Sequence, residues 1–87
     1  MSDRRHEPVF PGFAEMAAKR RAVTDELTER RQRLGLSQTQ VAARMGTSQS
    51  AVARLESGDA DVRLSTLERY AAALGHQLDI TLKKEQP

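Results

Sequence analysis

The sequence predicts an all-α fold of four to five helices, the first of them long, ending in a single β-strand that pairs across a dimer. Three observations carry this. Apolar residues recur at three- and four-residue spacing in successive runs, and each run is closed by a glycine: Gly35, Gly46, Gly58 and Gly75. Aromatic residues are limited to Phe10, Phe13 and Tyr70, so the core is aliphatic and alanine-rich, which suits closely packed short helices. After Gly75 the period changes to two: Leu78, Ile80 and Leu82 alternate with Asp79, Thr81 and Lys83.

Residues 1–13 read as a flexible N-terminal tail, punctuated by Pro8, Pro11 and Gly12. Val9, Phe10 and Phe13 are its apolar exceptions. They either fold back on the helices or wait for a partner. From about Ala14 a long helix runs to Leu34, with Met16, the Arg20 stem, Val23, Leu27, Arg31 and Leu34 on one face. Thr24, Glu26 and Leu27 also read as a fresh helix start, which would break the helix near Val23. Ser37 caps the next helix, whose apolar face is Val41, Ala42 and Met45. Gly46 ends it in the left-handed conformation. Thr47 or Ser48 caps a third helix, with Val52 and Leu55 inward, small Ala51 beside them, and Gly58 at its end.

Leu64 to Leu74 is the last helix. Ser65 is the expected cap, and Glu68 completes a capping box with it. Leu64, Leu67, Ala71 and Leu74 form its apolar stripe, with Tyr70 alongside. A lone strand leaves its backbone groups unpaired, so residues 76–87 read as a dimerisation strand and tail, with Leu78, Ile80 and Leu82 pairing with a second copy. Residues 14–75 are then the functional domain.

The outward face of the third helix carries the chemistry. Ser48, Gln49, Ser50, Ala53 and Arg54 are small or hydrogen-bonding and cluster toward its N-terminal end. The major groove of B-DNA is about 12 Å wide and admits one helix, and small residues let its backbone approach the base edges. Glutamine can pair with adenine N6 and N7, and arginine with guanine O6 and N7. A purely structural helical hairpin is the competing reading of the same residues.

The run from Arg30 to Gly58 resembles the helix-turn-helix of the phage-repressor-like (XRE) family. The resemblance rests on Leu34-Gly35-Leu36-Ser37-Gln38, Val41-Ala42, Gly46, Val52, and Leu55-Glu56 followed by Gly58, with the later run Leu64 to Gly75 similar to the family's next helix. It implies a domain that binds double-stranded operator DNA, usually as a homodimer. Carried over by position, Gln38, Ser48, Gln49 and Ser50 face DNA, with Ala53 and Arg54 further along the groove. The resemblance also implies an ion pair between Arg31 and Glu56, with Arg31 near a phosphate. Arg33, Arg44 and Arg63 are the further expected phosphate contacts. Asp59 and Asp61 would repel phosphate in the loop before the last helix.

So small a chain with a C-terminal strand is similar to the antitoxins of HigA or HipB type. That likeness implies a repressor of its own operon that also neutralises a toxin, for a HigA-type system an mRNA-cleaving protein of RelE type. Val9, Phe10, Phe13 and Met16 are the expected toxin-binding surface. A stand-alone regulator without a toxin would carry the same DNA-binding half.

Composition sets the remaining bounds. A chain of 87 residues forms one small domain, burying only about 60–65% of its unfolded surface. Net charge is +2, with the more basic part toward the N-terminus and the more acidic part toward the C-terminus. There is no cysteine, so neither a disulfide nor a thiolate metal site forms. Neither His6 nor His76 has partners at ligand spacing, so no metal and no cofactor is expected. No glycine-rich phosphate loop or nucleophile with a paired base is present, which argues against an enzyme. No apolar run approaches the roughly 20 residues of a membrane span, and MSDRRHEPVF is not of secretory type, so the expected location is the cytoplasm.

Overall fold

Four helices account for the secondary structure of the computed structural model, which describes residues 13–58 and 61–84: α1 Phe13–Arg33, α2 Gln38–Met45, α3 Gln49–Ser57 and α4 Leu64–Ala73. Val9, Phe10 and Asp59, and the side chain of Phe13, lie outside the described residues. α2 packs against α3 and α4, and α1 lies across α3 and α4. No helix among the described residues is long and apolar enough to cross a membrane.

The ends of α2 follow from local chemistry. Ser37 Oγ accepts from the Gln40 backbone N–H at 3.0 Å, and Gln40 Oε1 accepts from the Ser37 N–H at 2.8 Å, a reciprocal capping box. Gly46 closes the helix at φ +72°, a conformation that a residue with a Cβ adopts only at a cost. Three residues later α3 begins, capped by Ser48, whose hydroxyl accepts from the Ala51 N–H at 3.1 Å. Of the two candidates at this position, Ser48 therefore supplies the cap.

The core is the meeting of the four apolar faces: Leu27 of α1; Val41, Ala42 and Met45 of α2; Val52 and Leu55 of α3; and Tyr70 and Ala71 of α4, with Leu74 just beyond it. Tyr70, Val41 and Val52 are its largest fully buried side chains. Val23, Leu36, Val62 and Leu78 pack on its margin. Each fully buried aliphatic side chain contributes about 1.5–3 kcal/mol.

Several expectations need correction. α1 is unbroken at Val23, because Thr24 does not start a new helix: its hydroxyl donates to the Arg20 carbonyl one turn back at 2.9 Å, and the residue is buried. The inward face of α1 is thus Val23, Thr24, Leu27, Thr28 and Arg31, all buried or half-buried, whereas Met16, Arg20 and Leu34 are exposed. Ser65 does not cap α4. The helix begins earlier, with Arg63 at the N-cap position and no side-chain cap bond. Val62 before that cap packs on the core and Leu67 in the next turn is buried, the positions of a hydrophobic staple. This pulls the helix start back and leaves Leu64 half exposed. Ala51 faces outward rather than beside the core.

Residues 76–84 carry no regular secondary structure, so the segment expected as a strand is not one within the single chain. A strand needs a ladder partner, and no other strand is present among the described residues. Leu78 packs on the core, while Ile80 is 55% and Leu82 fully exposed.

Candidate nucleic-acid interface

The third helix presents its first turn to solvent. Ser48, Gln49, Ser50, Ala51 and Arg54 are exposed, and Ala53 is half-buried. Val52 and Leu55 face the other way and anchor the helix. Ser48 is not free: its hydroxyl serves the cap and lies 3.2 Å from Ser50 Oγ. Gln49 and Arg54 are the long polar side chains of this surface.

Gln49 is held from behind. Its Nε2 donates to Gln38 Oε1 at 2.6 Å, and Gln38 Nε2 donates to Glu56 Oε1 at 2.9 Å. Gln49, Ala53 and Glu56 lie four and then three residues apart and so share one side of α3. Gln38, the first residue of α2, spans that side. The glutamine at the start of one helix is therefore tied to both ends of the next.

Glu56 is the hub. Arg31 donates to it twice, from Nε to Oε2 at 2.7 Å and from Nη2 to Oε1 at 3.0 Å, while Arg31 Nη1 donates to the Leu36 carbonyl at 2.7 Å. Tyr70 Oη donates to Oε2, and Thr28 Oγ1 lies 3.3 Å from that hydroxyl. The side chains of Arg31 and Glu56 are only 11% and 7% exposed. Burial pushes the Glu56 carboxyl up, but the hydrogen bonds from Arg31, Tyr70 and Gln38 outweigh it and keep the group below its ordinary range. The bond to Glu56 raises Arg31 further, against the desolvation that opposes it. Burial, and then the bond to the charged Glu56, push the Tyr70 hydroxyl up to about 12.

The expected Arg31–Glu56 pair is thus present, and it is interior. Arg31 itself is committed to Glu56 and Leu36, away from the open surface. Of the other candidate phosphate contacts, Arg33, Arg44 and Arg63 are exposed. Arg33 has Glu29 at 3.9 Å one turn back, and Arg44 Nη1 donates to the Ala73 carbonyl at 3.0 Å. Arg20 pairs with Asp61 at 3.5 Å. Met16 is exposed on the first half of α1. Sequence reasoning missed the connection from Tyr70 through Glu56 to the two glutamines. Its one signal was a lone tyrosine in an apolar stripe, whose buried hydroxyl needs an acceptor.

Residues 27–80 match the family model described as Helix-turn-helix. The chain belongs to the helix-turn-helix family. α2 and α3 lie within the matched span, as do the C-terminal turns of α1 that carry Arg31 and the segment beyond α4 up to Ile80. The chain is similar to "Antitoxin HigA1" of Mycobacterium tuberculosis strain H37Rv, 42% identical over 77 residues, which is 88% of this helix-turn-helix chain and 52% of that protein. It is also similar to an "Uncharacterized HTH-type transcriptional regulator" of Haemophilus influenzae, 41% identical over 59 residues, 68% of this chain and 60% of that protein. The chain thus spans about half to three fifths of the length of these relatives. No solved structure gives a significant match.

Proposed function

We propose that the chain is a sequence-specific repressor of double-stranded operator DNA and the antitoxin of a type II toxin–antitoxin pair. The observation that carries the DNA-binding part is Gln49, exposed on the first turn of α3 and held by Gln38. α3 enters the major groove. Gln49, Ser50 and Arg54 meet base edges, Ser48 and Ala53 allow close approach, and Gln38 supports Gln49 from α2. Arg33, Arg44 and Arg63 meet phosphates, and Arg31 acts from inside by holding Glu56. The antitoxin part is supported by the name of the HigA1 relative. The toxin is a protein of RelE or HigB type, and Val9, Phe10, Phe13 and Met16 form its contact surface. The dimer forms when Leu78, Ile80 and Leu82 of two copies pair as antiparallel strands, with Ile80 and Leu82 open for this in the single chain.

The second reading, a regulator without a toxin, is favoured by the name of the H. influenzae relative. Two experiments separate them. Gln49→Ala should cost about 1–3 kcal/mol on a duplex selected from a random library and nothing on random duplex; equal losses on both would remove Gln49 from base reading. The product of the adjacent small reading frame, expressed alone, should arrest growth, and co-expression of this chain should relieve the arrest. An adjacent product without toxicity leaves the stand-alone regulator.

A further inference from the structure

We propose that the apolar groove beside the first half of α1 is the seat of the chain's own segment Val9–Phe10, which folds back into it from the start of that helix.

Three of the five large apolar side chains left exposed among the described residues meet in this one place. Met16 from α1, Leu64 from the start of α4 and Ile80 from the segment after α4 are each about half exposed. With Val23, Leu67 and Leu78 they line a groove of about 620 Å³. Single exposed apolar residues need no explanation, but a contiguous apolar recess marks a surface made to be covered. Its volume lies in the range of sites that enclose a ligand-sized group.

Length, position and chemistry name the occupant. α1 starts at Phe13, and its residues Met16, Lys19, Arg20 and Val23 succeed each other at three- and four-residue spacing along one wall of the groove. Phe10 stands three residues before the helix, which gives it a reach of about 10 Å from Phe13. Met16 lies only about 4.5 Å along the helix axis from that point. The chain must reverse in between, and Pro11 and Gly12 are residue types from which reversals are built. Val9 and Phe10 are the apolar side chains next to that reversal, and a phenylalanine removes about 150–250 Å² from water when buried. Glu7 comes just before them, and Lys19 stands on the groove with the opposite charge. A second copy offers its exposed Leu82 to the same groove. A segment of the same chain competes at an effective concentration in the mM range, which a dilute second copy does not match.

The consequence is for access. In the free chain Val9, Phe10 and Met16 are two sides of a closed contact rather than an open patch. Where they meet a toxin, as the proposed function has it, the toxin must part them, and its apparent affinity falls with the closed fraction. The contact itself does not depend on that reading and is tested on the chain alone.

The test labels the full chain with para-fluorophenylalanine. The two phenylalanines give two fluorine resonances, which Phe10→Leu assigns. The Phe10 resonance should stand apart from its position in urea, and it should return to that position in Leu64→Asn, a change at a half-exposed site. The reciprocal measurement leaves the groove intact: the Met16 methyl resonance should move in Phe10→Ser, whereas that of Met45, buried in the core, should stay. Both shifts should be unchanged on dilution. A wild-type Phe10 resonance that coincides with its urea position, or a Met16 methyl indifferent to Phe10→Ser, would overturn the proposal. Shifts that fade on dilution would also overturn it and give the groove to a second copy. Failure of the toxin rescue with these shifts in place would remove the toxin reading and leave the fold-back standing.

Discussion

Replacing Glu56 by alanine removes the acceptor of four hydrogen bonds at once: two from Arg31, one from Gln38 and one from Tyr70. The larger effect is on what stays behind. Arg31 is 11% exposed and keeps only the Leu36 carbonyl, so the variant holds a guanidinium charge in the interior without its counter-charge. Breaking a buried pair from one side costs about 3–5 kcal/mol. For a domain of this size each kcal/mol moves Tm by about 4–8 °C, so Glu56→Ala should melt at least about 12 °C below wild type. Circular dichroism at 222 nm during heating reads this directly. A double variant, Arg31→Met with Glu56→Met, removes both charges and should recover much of the loss, because a buried ion pair is often no better than apolar side chains of similar volume. A drop of only a few degrees in the single variant would refute the reasoning, since it would match a solvated surface pair contributing about 0–1 kcal/mol.

Other consequences can be measured with equal economy. Tyr70 is the one tyrosine and there is no tryptophan, so absorbance at 295 nm follows its ionisation alone. The native midpoint should stand near 12 and return to about 10 on unfolding. Because the folded value is raised, this contribution to stability is complete below about pH 10 and is lost as pH climbs toward the folded value; a native midpoint near 10 would place the hydroxyl in water. Gly46→Ala meets no atom within 4 Å of the added methyl, so its whole cost is the backbone at φ +72°, about 1–2 kcal/mol. A Tm equal to wild type would show that the α2 end relaxes freely. Ile80→Asp should convert a dimer to a monomer in sedimentation and weaken binding to a palindromic duplex, whereas a dimer that persists would move the interface elsewhere.

Local rules made much of this architecture legible. Ser37, Gly46 and Gly58 stand at helix ends because caps and left-handed glycines act within a few residues, and no tertiary contact is needed to foresee them. Val41, Ala42, Met45, Val52 and Leu55 are interior for a related reason: in an eight- or nine-residue helix only one face can be. The misreadings came where a side chain belongs to a class that periodicity does not count. Thr24 and Thr28 sit inside because their hydroxyls bond back to α1 carbonyls, which makes them compatible with a core despite their polarity. Leu34 and Leu64 are about half exposed because they lie at helix margins, Leu34 just beyond α1 and Leu64 at the start of α4. Ser65 matched a capping pattern, but the burial of Val62 and Leu67 decided the start of α4 instead. At the site, the exposure of Gln49 was legible from α3 alone. The Gln38 to Glu56 link was not, because it joins residues 18 apart and depends on how two helices are set against each other.

One carboxylate gathers a group from each of the four helices: Arg31 from α1, Gln38 from α2, Tyr70 from α4, and its own place on α3. No helix can peel away while the rest stay intact. α3 has nine residues, too few to persist alone in water, so it is helical only as part of the bundle. The reading surface is present whenever the molecule is folded and absent otherwise. On the proposed function, DNA therefore meets a helix already ordered, and association spends little on shaping it.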